Sequence, residues 1–184
     1  LDRGGIVGED GVTHHGVFDM AAFGAVPGLT IAAPMDELEL RNMMYTGLQY
    51  GHPFMIRYPR GNGAGRLWRG VPFEALPVGR GRRLREGTDV ALVTVGTVGN
   101  AAARAAERAA AKGVSVAHYD LRFAKPLDEA LLAGVGAEFR HVVTVEDGSL
   151  RGGVGEAVTA FFNARGCEVA VHSLGIGDEW VEHG

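Results

Sequence analysis

Apolar positions along the chain fall into short runs separated by glycine, proline and charged residues, and the spacing within each run predicts an element. Residues 17–23 have the length of a short helix. Residues 29–33, LTIAA, are an apolar run closed by Pro34, which predicts a buried strand. Asp36 then has the chemistry of a helix N-cap, and Glu39 three residues on completes a capping-box-like pair. The helix is expected to reach about Tyr50, with Leu40, Met43, Met44, Gly47 and Leu48 on its buried side. The methionine pair reads as core filling. Residues 53–58 are strand-like again and end in Pro59, Arg60 and Gly61. From 61 to 87 the periodicity dissolves into Gly, Arg and Pro, which reads as an inter-domain linker lying on a neighbouring domain.

A second unit follows. Residues 89–95 predict a strand, and 97–112 an Ala-rich helix with Arg104, Glu107 and Arg108 on its wet side and Gly113 as its C′ residue. Residues 114–119 predict a strand, and 126–132 a short helix with Pro126 in its first turn. Residues 141–145 predict a strand, 155–165 a helix closed by Gly166, and 167–174 the last strand. Strands that alternate with helices, and that are apolar runs rather than alternations, predict an α/β fold with a mainly parallel sheet. No internal repeat is evident.

The opening stretch, LDRGGIVGEDGVTHHGVFD, has no amphipathic period and is read as a loop. It carries Arg3, Asp10, His14 and His15 in a run broken by five glycines. Such glycine density calls for positive φ angles or close backbone approach. Its ionisable side chains are candidates for substrate handling; an ordinary charged turn is the alternative. Arg60 sits just past the strand FMIRYP, and open α/β sheets bind ligands beyond the carboxyl ends of their strands. A guanidinium presents a planar fork suited to phosphate, and Arg3 could reach the same anion. A surface ion pair is the other reading of each arginine. Arg57, within the strand, reads as structural. A metal site is disfavoured, since His14 and His15 are adjacent with no third ligand placed nearby.

Composition adds only a few limits. At 184 residues the chain has room for one domain or two small ones, and 46% apolar residues suit a globular core. A net charge of -4 leaves no footprint for nucleic acid, and the basic GRGRRLR is short. The single cysteine, Cys167, excludes an internal disulfide framework and reads as a buried, inert thiol. With no signal peptide or long apolar run, secretion and membrane spanning are disfavoured and a cytoplasmic enzyme is expected.

The opening loop, IAAPMDELELRNMMYTGL, FMIRYPRGN, LRFAKPLDE, VVTVEDGSLRGGVGEAV and LGIGDEWVEHG follow one another in an order that resembles the 1-deoxy-D-xylulose-5-phosphate synthase family. These are transketolase-like enzymes dependent on thiamine diphosphate. The resemblance covers nearly the whole chain, with a poor patch at 63–85. It implies the C-terminal part of a pyrimidine-binding domain over 1–61, a linker over 62–87 and a transketolase C-terminal-type domain over 88–184. It implies condensation of pyruvate with D-glyceraldehyde 3-phosphate with loss of carbon dioxide, in a homodimer.

The resemblance also implies residue roles. Arg3 of the D-R-x-G motif and Arg60 of R-Y-P-R-G would hold the substrate phosphate. Asp10 and His14 would contact substrate hydroxyls and help proton movement; a loop-stabilising hydrogen bond is the plainer reading of both and can coexist with that role. His15 receives no role. The departure DRGG, where alanine is commoner after the arginine, leaves Arg3 in place. Thiamine diphosphate and magnesium would be bound mainly by an N-terminal part through a G-D-G motif; Gly8 to Gly11, GEDG, is a different element. Both ends look cut, so a fragment is expected, inert by itself. Glu146, Asp147, Arg122 and Lys125, in a domain that does not touch substrate, are expected to be structural. Another transketolase-like enzyme, a 2-oxo acid dehydrogenase subunit or a non-catalytic assembly module are the rival readings.

Overall fold

The apolar runs become strands of two sheets in the computed structural model, which describes residues 1–182. The last two positions of the LGIGDEWVEHG motif, and of the expected domain 88–184, lie outside the described residues. The smaller sheet holds β1 (Thr30–Ala32) and β2 (Phe54–Ile56), which run parallel. The larger holds β3 (Arg82–Arg85), β4 (Val90–Thr94), β5 (Val116–Asp120), β7 (His141–Ser149) and β8 (Ala170–Ile176) in the order β3-β5-β4-β7-β8. All its neighbours are parallel except the edge strand β3. The remaining strand, β6 (Phe123–Lys125), leaves the second half of the chain and pairs antiparallel with β1.

Alternate residues of the central strands bury on opposite faces. Helix α3 (Val98–Ala110) covers one face, laying Ala102 and Ala106 against Leu92 and Val116. Helices α4 (Glu129–Glu138) and α5 (Val154–Ala164) cover the other, where Leu132, Val135, Val158 and Phe162 meet Val93 and Val142. Helix α4 differs from the expected 126–132. Asp128 is its N-cap, accepting from the Leu131 N–H, so Pro126 precedes the helix. Gly134 and Gly136 hide its continuation in the sequence; at Gly136 a Cβ would stand 3.0 Å from Phe162, so the small residue lets α4 and α5 approach. β7 outruns the expected 141–145 because Glu146, Asp147 and Gly148 carry no strand signal.

In the first half, α1 (Asp19–Gly24) precedes β1, and α2 (Glu37–Tyr50) joins β1 to β2. Asp36 caps α2 by accepting the Glu39 N–H at 2.9 Å. The return half of the expected capping box is absent: Glu39 accepts from the Met35 N–H instead, and its other oxygen takes Arg122 at 2.7 Å and Arg82 at 3.0 Å. The buried face of α2 is also shifted from expectation. Glu39, Asn42, Met43 and Thr46 are buried, while Met44 is 57% and Leu48 87% exposed. Polar residues win the inner face because they have chain to bind there. Arg82 also pairs with Asp120, whose carboxyl is pushed up to about 6 by burial and by the Glu39 charge.

The stretch read as a linker is held down, and its end is β3. That strand was illegible because three of its four residues are arginines, an edge-strand composition rather than an apolar run. Before it, Arg41 on α2 donates to the carbonyls of Trp68, Val71 and Pro72 at 2.6 to 2.8 Å and lies over the Phe73 ring. Thr46 accepts the Leu76 N–H. Arg41→Ala strips donors from three carbonyls at once. It should lower unfolding free energy by about 1–3 kcal/mol and open 68–73 to limited proteolysis. Unchanged cleavage there would show that the segment is held by other contacts.

Candidate active site

Local backbone requirements build the opening loop. It doubles back at Gly16, whose N–H donates to the carbonyls of Arg3 and Gly5, both at 3.0 Å. A Cβ at Gly16 would overlap the Arg3 carbonyl, so only glycine fits this crossing. The doubled loop lies along the segment after β2, with the Gly4 N–H donating to the Tyr58 carbonyl at 2.8 Å. A 3-10 turn, Gly8–Asp10, then presents Asp10.

Beneath the loop is Arg57, only 5% exposed. Its Nε donates to Asp19 at 2.6 Å, and Nη2 donates to the carbonyls of Gly16 at 3.0 Å and Asp147 at 2.9 Å. The reading of Arg57 as structural agrees with this. Asp147 also accepts from the Ile6 N–H at 3.4 Å. Burial pushes the Asp147 carboxyl up, partly offset by Arg57. Neighbouring Glu146 caps α5 by accepting from the N–H groups of Val154 and Gly155, and burial raises it too. Lys125 donates to the carbonyls of Gly24 and Val26, and Arg122 pairs with Glu39. All four of these residues are engaged in internal bonds, yet Asp147 does so directly under the candidate site. Asp147 and Asp19 are the supporting residues to which sequence reading gave no part in holding the loop. No local signal could have linked Asp147 to Ile6 across 141 residues.

The structure brings Arg3, Asp10 and Arg60 together. Arg3 Nε lies 3.2 Å and Arg60 Nη1 2.9 Å from the same Asp10 oxygen, Oδ2. Partial burial works to raise the Asp10 carboxyl. The Arg3 hydrogen bond and the charges of Arg60, Arg3 and His14 outweigh it and hold the group below the usual carboxylate range. Arg3 adopts a left-handed backbone, φ 60°, a conformation that non-glycine residues keep only where their surroundings enforce it. Its Nη1 is held by Asp2 at 2.6 Å. His14 is exposed, close enough for its charge to bear on Asp10, and its Nδ1 lies 2.9 Å from the Thr13 hydroxyl. Two guanidiniums fixed on one carboxylate oxygen and partly facing solvent are an arrangement that can present N–H donors to an anion. Among the described residues no three His, Cys, Asp or Glu side chains converge to hold a metal ion. No helix among them is long and apolar enough to cross a membrane.

Comparison with known proteins places these features in context. Residues 1–65 match the transketolase pyrimidine-binding domain and residues 79–184 the transketolase C-terminal domain. The chain is 55% identical to a 1-deoxy-D-xylulose-5-phosphate synthase of Bacteroides fragilis, an alignment covering 100% of this chain and 28% of that protein. It is 53% identical to the enzyme of that name from Bacteroides thetaiotaomicron and 45% to that from Porphyromonas gingivalis, covering 29% of each. The chain thus spans under a third of the length of these relatives. A solved structure described as a split-gene transketolase, an inactive β4 tetramer, superposes with a TM-score of 0.80 at 28% identity. That match covers 91% of this chain and 55% of the other.

Proposed function

This chain belongs to the transketolase family, and on that premise we propose that it is part of a 1-deoxy-D-xylulose-5-phosphate synthase. In this reading the whole enzyme condenses pyruvate with D-glyceraldehyde 3-phosphate, releasing carbon dioxide, as a cytoplasmic homodimer that feeds isoprenoid, thiamine and pyridoxal synthesis. Residues 1–61 belong to the pyrimidine-binding domain, 62–87 connect, and the C-terminal domain follows, with β3 already part of its sheet. The observation that carries the proposal is the convergence of Arg3 and Arg60 on Asp10. The two arginines grip the phosphate of D-glyceraldehyde 3-phosphate. Asp10 keeps them side by side, and with His14 it faces the substrate hydroxyls, where an imidazole can pass a proton.

Thiamine diphosphate and magnesium are cofactors of the whole enzyme in this reading. The described residues do not fit the magnesium-diphosphate end, because they bring together no cluster of metal-ligating side chains. The chain alone is therefore expected to be inactive, a reading supported by its likeness to a split-gene transketolase described as inactive.

The test is carbon dioxide release from pyruvate that depends on D-glyceraldehyde 3-phosphate, with thiamine diphosphate and magnesium present. It is run on the chain alone and on the chain joined to the remaining length of a relative. Activity is expected only in the joined form. Arg60→Ala should raise KM for the phosphorylated aldehyde roughly 10- to 100-fold, the loss of one charge-assisted contact or two. His14→Ala should lower kcat by about 10²-fold or more. Activity of the isolated chain would overturn the assignment of the cofactor site elsewhere. A silent joined form would favour a non-catalytic assembly module.

A further inference from the structure

His15 stands beside the proposed site, and both of its ring nitrogens are engaged. The Val7 N–H donates to Nδ1 at 3.1 Å, and Nε2 lies 3.1 Å from the Val181 carbonyl oxygen. An Nδ1 that accepts leaves the ring proton on Nε2, where the Val181 carbonyl can take it, so the two contacts together select one tautomer. Val7 is buried and is the residue from which the 3-10 turn Gly8–Asp10 starts. Next to it, Phe18 and Trp180 meet edge to face with ring centroids 5.5 Å apart, a second tie between the opening loop and the segment after β8. His15 also lies near Asp147, whose carboxylate accepts the Ile6 N–H.

We propose that His15 is a positioning residue for the phosphate grip, a proposal that rests on the function read above for Arg3 and Arg60. The imidazole holds Val7, Val7 sets the start of the turn, the turn sets Asp10, and Asp10 holds both guanidiniums. Through the Val181 contact, the placement of the grip is tied to the segment after β8, 166 residues away in the chain. His15 itself touches neither arginine and needs no contact with substrate. Glutamine is the informative replacement. Its amide oxygen can accept from Val7 and its amide nitrogen can donate to Val181, whereas leucine fills the space and leaves a buried N–H unpaired.

The experiment compares the 184-residue chain with His15→Gln and His15→Leu. One readout is NMR titration with inorganic phosphate and with D-glyceraldehyde 3-phosphate. The others are amide exchange at Val7 through Asp10, with Val93 and Val142 as core controls, and the 15N signature of the wild-type His15 ring. The expected result is a ring protonated on Nε2 only, phosphate affinity about tenfold weaker in His15→Leu and within about twofold in His15→Gln, and fast exchange at Val7 in the leucine variant alone. Wild-type affinity together with a protected Val7 in His15→Leu overturns the proposal, as does a glutamine variant that behaves like leucine while its core amides stay protected. If the wild-type chain takes up neither phosphate probe, the reading of Arg3 and Arg60 as a phosphate grip fails. Exchange at Val7 through Asp10 then decides on His15: unchanged rates in the leucine variant overturn the positioning role, and rates restored by glutamine support it.

Discussion

Replacing Arg57 with leucine is expected to lower unfolding free energy by about 3–5 kcal/mol, the loss that follows when one partner of a buried ion pair is removed. For a chain of this length that corresponds to a fall in Tm on the order of 10 °C. The magnitude follows from what remains behind. Asp19 is 8% exposed and would keep a buried charge facing a methyl group. The Asp147 carbonyl would lose its Arg57 donor, and the Gly16 carbonyl would lose Arg57 while keeping the Gly5 N–H. Arg57→Lys should rescue little, because an ammonium cannot reproduce a fork that serves one carboxylate and two carbonyls at once. Asp19→Leu in the Arg57→Leu background should restore part of the loss, since the orphaned charge is then gone. Urea unfolding followed by circular dichroism reads all of these. A change below about 1 kcal/mol for Arg57→Leu would show that this pair is not the anchor between loop and sheet.

The second large effect is expected at Gly5. Its φ of 86° belongs to the left-handed region, and a Cβ there would overlap the Asp147 carboxylate. Alanine faces a backbone cost of about 1–3 kcal/mol. It also forces Asp147 to rotate away, which releases the Ile6 N–H. Gly5→Ala should therefore loosen the loop and abolish phosphate binding even where the sheet stays folded. Gly4 is the control one residue earlier. It has no positive φ, and its nearest neighbour, the Arg57 guanidinium, stands at 3.2 Å, so a methyl needs a shift of only a few tenths of an ångström. Gly4→Ala should change stability by about 1 kcal/mol or less. Phosphate titration and loop proteolysis of the two variants provide the comparison; equal behaviour would remove the steric account of Gly5.

What the chain order made legible was local. The runs at β4 and β5 are buried on both faces and read as strands without help. Asp36 caps α2 because a short acidic side chain before a helix has one obvious partner, the N–H three residues on. Arg3, Asp10, His14 and Arg60 became candidates because the motifs around them are long. The convergence of Arg3 and Arg60 on one Asp10 oxygen was not legible, since nothing in a spacing of 57 positions between two arginines specifies a shared partner. Elsewhere the failures have one cause. The inner face of α2 is polar because Glu39, Asn42 and Thr46 bind backbone and side chains from distant segments. β3 is charged because it closes an edge, and β6 is split from β5 because Arg122, at φ 59°, turns the chain into the other sheet between them. Periodicity reports burial against an apolar neighbour; it is silent where the neighbour is hydrogen-bonded chain.

β6 also orders events on the ribosome. β1 is complete once residue 32 has emerged, and β2 covers one of its edges soon after. Its other edge waits for Phe123 and Lys125, and the side chain that seals the junction, Lys125, reaches back 101 residues to Gly24. Until β6 arrives, that edge of β1 is open beside apolar Ile31, the kind of surface that pairs with the wrong chain. A chain cut between β3 and β6 would therefore lack the strand that closes this edge of β1.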